Sequence, residues 1–336
     1  MSKYAIHVNM HRNETSGSFL TPEVVERLHT LGRVSWQDEL ESLDSKEAAA
    51  TLAEVQAVVT GWGQTPFTDE VLDLMPQLEI IAHTAGSVGA FVGDPVYARG
   101  IRVVSGNNVF AMSVAEAVLA YILAIYRRIP HYDARMKAGE WRTALDNEGL
   151  FDRKVALVGF GAIPRYLIPM LAPFNCQIEA YDPYVSEEEM AAYGVKKIDL
   201  PACFHEQDIV SLHLPLTPET VNLVDTAMLK RMKLGAVLIN TARGGVIDES
   251  ALVKALQEKR IRAVLDVFTQ EPLDPNSPLR ACENAILIPH MAGPTLDRRP
   301  AAAHAVIDDI ERLQQGLELQ HEISPEKAAR MTRLVK

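Results

Sequence analysis

The sequence predicts an α/β protein with doubly wound parallel sheets, divided into two domains. Three observations carry that prediction. The chain has 336 residues, more than a single hydrophobic core usually organises. Short apolar runs alternate with helix-sized amphipathic segments along most of its length, the pattern of parallel βαβ units. One of those runs, Val155-Ala156-Leu157-Val158, leads directly into a glycine-containing turn, Gly159-Phe160-Gly161.

Taken in order, an apolar segment at 4–9 precedes a helical pattern around 22–31. The run AVVTGWG (57–63) precedes TDEVLDLMPQL (68–78), whose spacing is helical, and LEIIAHTAGS (78–87) reads as a further strand. The first hundred residues thus form a small α/β domain. A long helix is predicted over 113–141, where small and apolar residues recur every three or four positions. Strand-like runs follow at 155–159, 178–181, 209–214, 236–239, 263–267 and 286–288, enough for a doubly wound sheet. The tail opens with a further helical pattern, RRPAAAHAVIDDIERLQQG (298–316).

Composition narrows the function classes. Hydrophobic residues make up 48% and charged residues 23%, with a formal net charge of -11, a globular composition with no Lys/Arg-rich run to attract a nucleic acid. The start, MSKYAIHVNM, lacks the apolar segment of a signal peptide, and no uninterrupted apolar run looks long enough to cross a bilayer. A cytoplasmic protein with no membrane partner is expected. Cys176, Cys203 and Cys282 are far apart, with no Cys/His cluster at ligand spacing, so neither disulfides nor a metal are expected.

In a dinucleotide-binding turn the first glycine makes the bend, the second admits the pyrophosphate, and the third packs helix on strand. Gly159 and Gly161 fill the first two places and Pro164 stands in the third. Proline is tolerated in a first helical turn, where its missing N–H has no partner to lose. The N–H groups of Ala162 and Ile163 remain for the phosphates, so binding is expected to survive with a displaced helix start. Pro169 removes an interior hydrogen bond from the same helix or kinks it. Asp182 lies 23 residues beyond Gly159, at the end of the next strand. Its carboxylate can accept from the adenosine ribose and would repel a 2′-phosphate, favouring NAD over NADP.

Three further segments, SLHLPLTPET (211–220), LINTARGGVIDE (238–249) and VLDVFTQEPLDPNSPL through ILIPHMAG (264–293), join the glycine turn and YDP in the right order and spacing. Together they make the chain resemble the D-isomer-specific 2-hydroxyacid dehydrogenase family. The resemblance covers most of residues 100–296 and is weaker in the first hundred, where AHTAGSVG carries it.

The resemblance implies two Rossmann-like domains: a smaller, flavodoxin-like substrate domain from 1–103 with 297–336, and a cofactor domain from 104–296. It implies that Arg243 binds the substrate carboxylate, that His290 is the general acid/base, and that Glu271 orients it. Reducing a 2-oxo acid needs a hydride at carbon and a proton at oxygen, so a group titrating near neutrality suits the task. By the same resemblance Asp266 meets the nicotinamide side, Leu214, Pro215 and Thr220 the adenosine side, and Thr241 and Ala242 contribute backbone contacts. Gly86, Ser87 and Val88 present N–H groups to the substrate carboxylate, His213 is structural, and the long helix helps build a homodimer.

The implied activity is NAD-dependent interconversion of a small anionic D-2-hydroxy acid and its 2-oxo acid. The alternative is an NAD(H)-sensing, corepressor-like binding protein on the same scaffold; the complete Arg/Glu/His set and the lack of an interaction tail favour the enzyme. Formate oxidation is disfavoured by Glu271, where relatives that perform it carry glutamine. A phosphoglycerate dehydrogenase with an appended regulatory domain is disfavoured because about forty residues follow the core. His11 and Arg12, in the loop 9–19, could meet an anionic group, although a solvated loop is the favoured reading.

Overall fold

A computed structural model describes residues 4–141 and 146–332. Its contacts divide the chain into two units, Met1–Phe110 with Pro294–Val335, and Ala111–Gly293. The division falls a few residues from 103/104 and 296/297 because Val109 and Phe110, in the first turn of the long helix, pack on the core of the first unit.

The first unit is a five-stranded parallel sheet. Its strands are β1 (Ala5–Asn9), β2 (Arg33–Trp36), β3 (Ala57–Thr60), β4 (Ile80–His83) and β5 (Arg102–Ser105), in the order β2-β1-β3-β4-β5. β3 and β4 are buried along their whole length, which is why they read as continuous apolar runs. β2 and β5 do not stand out in the sequence because each lies at a sheet edge with polar residues mixed in.

The tail belongs to this unit. Helix Arg299–Gln314 buries Ala302, Ala303, Val306, Ile307 and Ile310 in the same core as Ile6, Val59 and Ile80. Beyond it, Ser105 N–H donates to the His321 carbonyl (3.2 Å) and Ile323 N–H to the Val103 carbonyl (2.8 Å), covering the β5 edge. Buried Asp309 fixes that return by accepting from the N–H groups of Gln320 (2.7 Å) and His321 (2.8 Å).

The second unit is a seven-stranded parallel sheet of β6 (Lys154–Val158), β7 (Gln177–Tyr181), β8 (Lys196–Lys197), β9 (Ile209–Leu212), β10 (Val237–Asn240), β11 (Arg262–Leu265) and β12 (Ala285–Leu287). Their order is β12-β11-β10-β9-β6-β7-β8. Six of these match the predicted runs. The seventh, β8, is two lysines at an edge and carries no apolar signal. The register sets Val158 beside Tyr181 and Leu212, Leu212 beside Asn240, Asn240 beside Leu265, and Leu265 beside Leu287. The residues that follow these strands therefore form one row along the carboxyl edge, with the order reversing between β6 and β9.

Two expectations need correction. The helix predicted over 113–141 is two helices, Asn107–Tyr126 and Ile129–Lys137, broken at Arg128 in the left-handed region (φ 53°). Pro130 explains the break: it has no N–H for the carbonyl of Tyr126, which accepts from Glu148 N–H instead (2.9 Å). The segment Asn107–Tyr126 is also long and apolar enough by length and composition to cross a membrane, contrary to the reading of the bare sequence. Its Val118, Ile122, Ile125 and Tyr126 are core residues of the second unit, the burial of an ordinary core helix.

Candidate active site

Gly159 leaves β6 with φ of +97°, a conformation that strongly favours glycine, and a β-carbon there would lie 2.6 Å from the His213 carbonyl oxygen. The turn after β6 is thereby seated against the His213-Leu214 turn after β9. Gly161 is the N-cap of helix Ala162–Leu171, with no side-chain cap and no atom within 4 Å of where its β-carbon would be. The N–H groups of the first turn, including those of Ala162 and Ile163, are thus uncapped by any side chain among the described residues, and the chain can be approached closely at Gly161, as a pyrophosphate requires. The helix begins immediately after Gly161, so the displaced start expected from Pro164 is not found. Pro164 is buried within the first turn, where its ring is compatible with helical geometry, and the helix continues past Pro169 to Leu171.

Asp182 follows β7. Its Oδ2 accepts from Phe160 N–H (2.9 Å) and its Oδ1 from Tyr184 N–H (2.8 Å), so one carboxylate ties the glycine turn to the end of the adjacent strand. In the turn after β9, Leu214 is buried and Pro215 partly so, and Thr220 Oγ1 donates to the Pro215 carbonyl (2.7 Å), closing the loop on itself. The His213 ring nitrogens are buried without partners among the described residues, and burial pushes its pKa down to about 3, leaving a neutral imidazole with no charge to contribute. After β10, Thr241 Oγ1 is a buried hydroxyl with no partner among the described residues, at the edge where a ligand would supply one. These features fit a dinucleotide: an open helix terminus, a carboxylate at the second strand and an unsatisfied hydroxyl.

Arg243 follows on the same loop. Asn240, the last residue of β10, clamps the turn, its Nδ2 donating to the Arg243 carbonyl (3.0 Å) and its Oδ1 accepting from Ala242 N–H (3.1 Å). Sequence reasoning missed this residue; its one signal was a polar side chain closing the apolar run VLIN. The partly buried Arg243 guanidinium donates to the Ala242 carbonyl (2.6 Å) and forms no ion pair among the described residues. Burial pulls its pKa below the ordinary arginine value, against the opposing charge of Glu271. Gly244 then packs on the loop after β11, where a β-carbon would overlap the Phe268 carbonyl and Thr269 nitrogen. That contact sets the Arg243 turn against the loop carrying Glu271.

Glu271 Oε1 accepts from Phe268 N–H (2.9 Å) and its Oε2 lies 2.7 Å from His290 Nδ1. Partial burial pushes the Glu271 pKa up, but the hydrogen bonds from His290 and Phe268 and the charges of His290 and Arg243 outweigh it and leave it low. An ionised carboxylate can only accept, so Nδ1 carries the proton and Nε2 is the free ring position. His290 itself has φ of +52° and donates its N–H to the Asp266 carbonyl (2.8 Å). The buried Asp266 carboxylate accepts from Met291 N–H (2.8 Å), Ala292 N–H (3.0 Å) and Tyr121 Oη (3.2 Å), holding the segment around His290 in place. Arg243, Glu271 and His290 thus converge, and Asp266 is enclosed by the backbone it supports.

Gly86, Ser87 and Val88 lie in the first unit, after β4. The Gly86 carbonyl accepts from Ser105 Oγ (2.7 Å), and among the described residues their N–H groups donate to no protein acceptor. His11 and Arg12 are already paired, His11 Nδ1 with Asp38 (2.6 Å) and Arg12 with Glu39 (2.6 Å), so neither is available to an anion. No metal was expected, yet His11, Asp38 and Glu41 bring ligand atoms within 4.8 Å of one another. Asp38 and Glu41 face opposite nitrogens of the imidazole, the arrangement of two ion pairs and not of one coordination sphere. A cavity of about 1030 Å³ in the second unit, lined by Asp208, Ala236, Arg262 and Ala285, opens at the amino ends of the strands and touches none of the Arg/Glu/His set.

Comparison with known proteins agrees with this geometry. The family model for the D-isomer specific 2-hydroxyacid dehydrogenase, NAD binding domain, matches residues 119–292, which makes NAD the cofactor. The chain is 33% identical over 299 residues to a D-3-phosphoglycerate dehydrogenase of Mycobacterium bovis, covering 88% of this chain and 56% of the relative. It is 34% identical over 257 residues to a glyoxylate reductase of Korarchaeum cryptofilum, covering 75% and 77%. The chain spans about half the length of the phosphoglycerate dehydrogenases it matches. A solved phosphoglycerate oxidoreductase of Rhizobium etli shares the fold with a TM-score of 0.79 at 24% identity, over 95% of this chain and 97% of that one. From its carboxyl-edge site and these matches together, the chain belongs to the D-isomer specific 2-hydroxyacid dehydrogenase family.

Proposed function

We propose that the protein is an NAD-dependent oxidoreductase that interconverts a small D-2-hydroxy acid and its 2-oxo acid. One observation carries the reading: a partly buried guanidinium with no ion pair among the described residues and a carboxylate-held imidazole lie on adjacent loops of the edge that bears the glycine turn. Nicotinamide supplies or takes up the hydride when bound. Arg243 holds the substrate carboxylate and polarises the neighbouring carbonyl. His290 delivers a proton from Nε2 to the carbonyl oxygen during reduction and recovers it during oxidation, while Glu271 fixes the ring through Nδ1.

Gly159, Gly161, Ala162, Ile163, Asp182, Leu214, Pro215, Thr220, Thr241, Ala242 and Asp266 serve the cofactor in this reading. Asp266 does so through the backbone it positions. Gly86, Ser87 and Val88 bind the substrate carboxylate, which makes the first unit the substrate domain. The reading includes a homodimer built on helix Asn107–Tyr126. Replacing His290 with alanine lowers kcat for 2-oxo-acid reduction by about two to four orders of magnitude. Steady-state assays with NADH and a panel of 2-oxo acids check this, and unchanged turnover would remove the assignment.

A further inference from the structure

The first unit carries a cavity that the Arg/Glu/His set does not use. It measures about 280 Å³ and is lined by Asn9, Met10, Asn13, Phe19, Trp62 and Gln64, among others. Asn9 ends β1 and Gly61 follows β3, so the cavity opens at the carboxyl ends of these two neighbours. In the order β2-β1-β3-β4-β5 that is where the chain's direction of travel across the sheet reverses, the place where open α/β sheets hold their ligands.

Two of its walls are aromatic and, His11 aside, its polar groups are neutral. Trp62 packs edge-on against Phe19 (5.1 Å between ring centres) and Phe110 (6.1 Å). Asn9 Nδ2 donates to Gln64 Oε1 (3.1 Å), and Asn13 is used as a helix cap. The charged groups at the rim neutralise one another: His11 with Asp38 and Glu41, Arg12 with Glu39 and the face of Trp36. These five give three carboxylates against at most two cations, so none of the five is a free cation for an anion to meet. Arg299 lies over the Phe19 and Trp62 rings, bonded to Ser18 Oγ (3.0 Å) and the Pro294 carbonyl (3.3 Å).

Phe110 links this cavity to the turn after β4, since a β-carbon on Gly86 would lie 3.8 Å from its ring. A substrate whose carboxylate sits on the Gly86–Val88 N–H groups therefore has the Phe110 and Trp62 faces beside the rest of its chain. We propose that this cavity receives the substrate's side chain, and that the substrate is a 2-oxo acid with an uncharged, apolar side chain, not a phosphorylated or dicarboxylic one. The inference rests on the dehydrogenase reading above and deepens it. It also separates this chain from relatives named for phosphoglycerate: among the described residues that line the cavity none is an unpaired cation, and Arg299 beside it is held on the Phe19 and Trp62 rings.

The test compares phenylpyruvate and 4-methyl-2-oxopentanoate with 3-phosphohydroxypyruvate and 2-oxoglutarate, using the whole protein and NADH. We expect kcat/KM at least tenfold higher for the apolar pair. Trp62→Arg should shift the ratio at least tenfold toward the phosphorylated acid, and Phe19→Ala, should the arginine variant misfold, should lower kcat/KM for the apolar pair alone. Calorimetric titration of the same acids into the NAD+ complex reads the preference without turnover. Reduction of the charged acids in preference, or an unmoved ratio in these variants, overturns the inference and leaves the dehydrogenase reading standing. Selective binding of the apolar acids with no reduction of any acid overturns the dehydrogenase reading and supports the cavity. Neither binding nor reduction overturns both.

Discussion

Gly244 lies so close to Phe268 that any β-carbon on the glycine would overlap the phenylalanine's carbonyl group. The contact matters because Arg243 precedes the glycine and Glu271 lies three residues beyond Phe268, on the loop whose amide N–H that glutamate accepts. Alanine at 244 would push the two loops apart, because backbone on one side and backbone on the other leave no flexible side chain to yield. We expect Gly244→Ala to cost about 1–3 kcal/mol of stability and to lower kcat/KM for 2-oxo-acid reduction by about a hundredfold, the usual penalty for misplacing a binding group by an ångström. Urea unfolding and steady-state kinetics measure the two effects; wild-type values in both would show that the loops are not in contact.

Glu271 is held below its ordinary carboxyl pKa by its hydrogen bonds and by two nearby cationic groups, despite partial burial. A depressed carboxylate stabilises the fold above its unfolded value and loses that contribution as pH falls through its folded value. Across neutral pH it is therefore ionised beside His290. Glu271→Gln removes that charge while keeping the shape. Reduction should slow by about ten- to a hundredfold, because a neutral amide no longer fixes the proton on His290 Nδ1. Steady-state kinetics measure the loss, and wild-type turnover in Glu271→Gln would mean the carboxylate does not hold the ring.

Asp182 offers its carboxylate at the end of β7 while bracing the glycine turn through Phe160 N–H. Asp182→Asn should narrow the preference for NADH over NADPH, because the repulsion of a 2′-phosphate is gone. The ratio of kcat/KM for the two cofactors is the measurement, and a constant ratio would place the ribose elsewhere.

Asp309 stabilises the return of the tail onto β5. Its carboxyl pKa is pushed up by burial, but the hydrogen bonds from the His321 side chain and from the Gln320 and His321 N–H groups bring it below the ordinary value. The folded state thus binds its proton less readily than the unfolded chain, so its contribution is complete above the ordinary carboxylate range and disappears as pH falls through the lower, folded value. Asp309→Asn should destabilise the protein by about 2–3 kcal/mol at neutral pH, and the gap to wild type should close in acid. Denaturant titrations at several pH values check this; a gap that widens in acid would contradict the sign.

The strands were legible where they are buried on both faces: VALV, IVSL and VLIN admit few other structures, because a two-sided core demands unbroken apolar runs. Short edge strands such as RVSW and KK were not, since an edge needs little apolar surface. The residue types at Arg243, Glu271 and His290, the glycine turn and Asp182 all stood in the sequence with their spacing. What they touch did not. The clamp by Asn240, the close packing at Gly244 and the enclosure of Asp266 by the backbone after His290 are contacts between segments distant in the chain, and no local pattern records them. The sequence favoured a solvated loop for His11 and Arg12 over an anion site, but that Asp38 and Glu39 are their partners appears only in the fold. The sequence by itself determined which residues could do the chemistry and which runs must be buried, because both follow from side-chain type and period. Only the tertiary structure decided which charges are already spent and which remain open to a ligand, because pairing depends on distance in space.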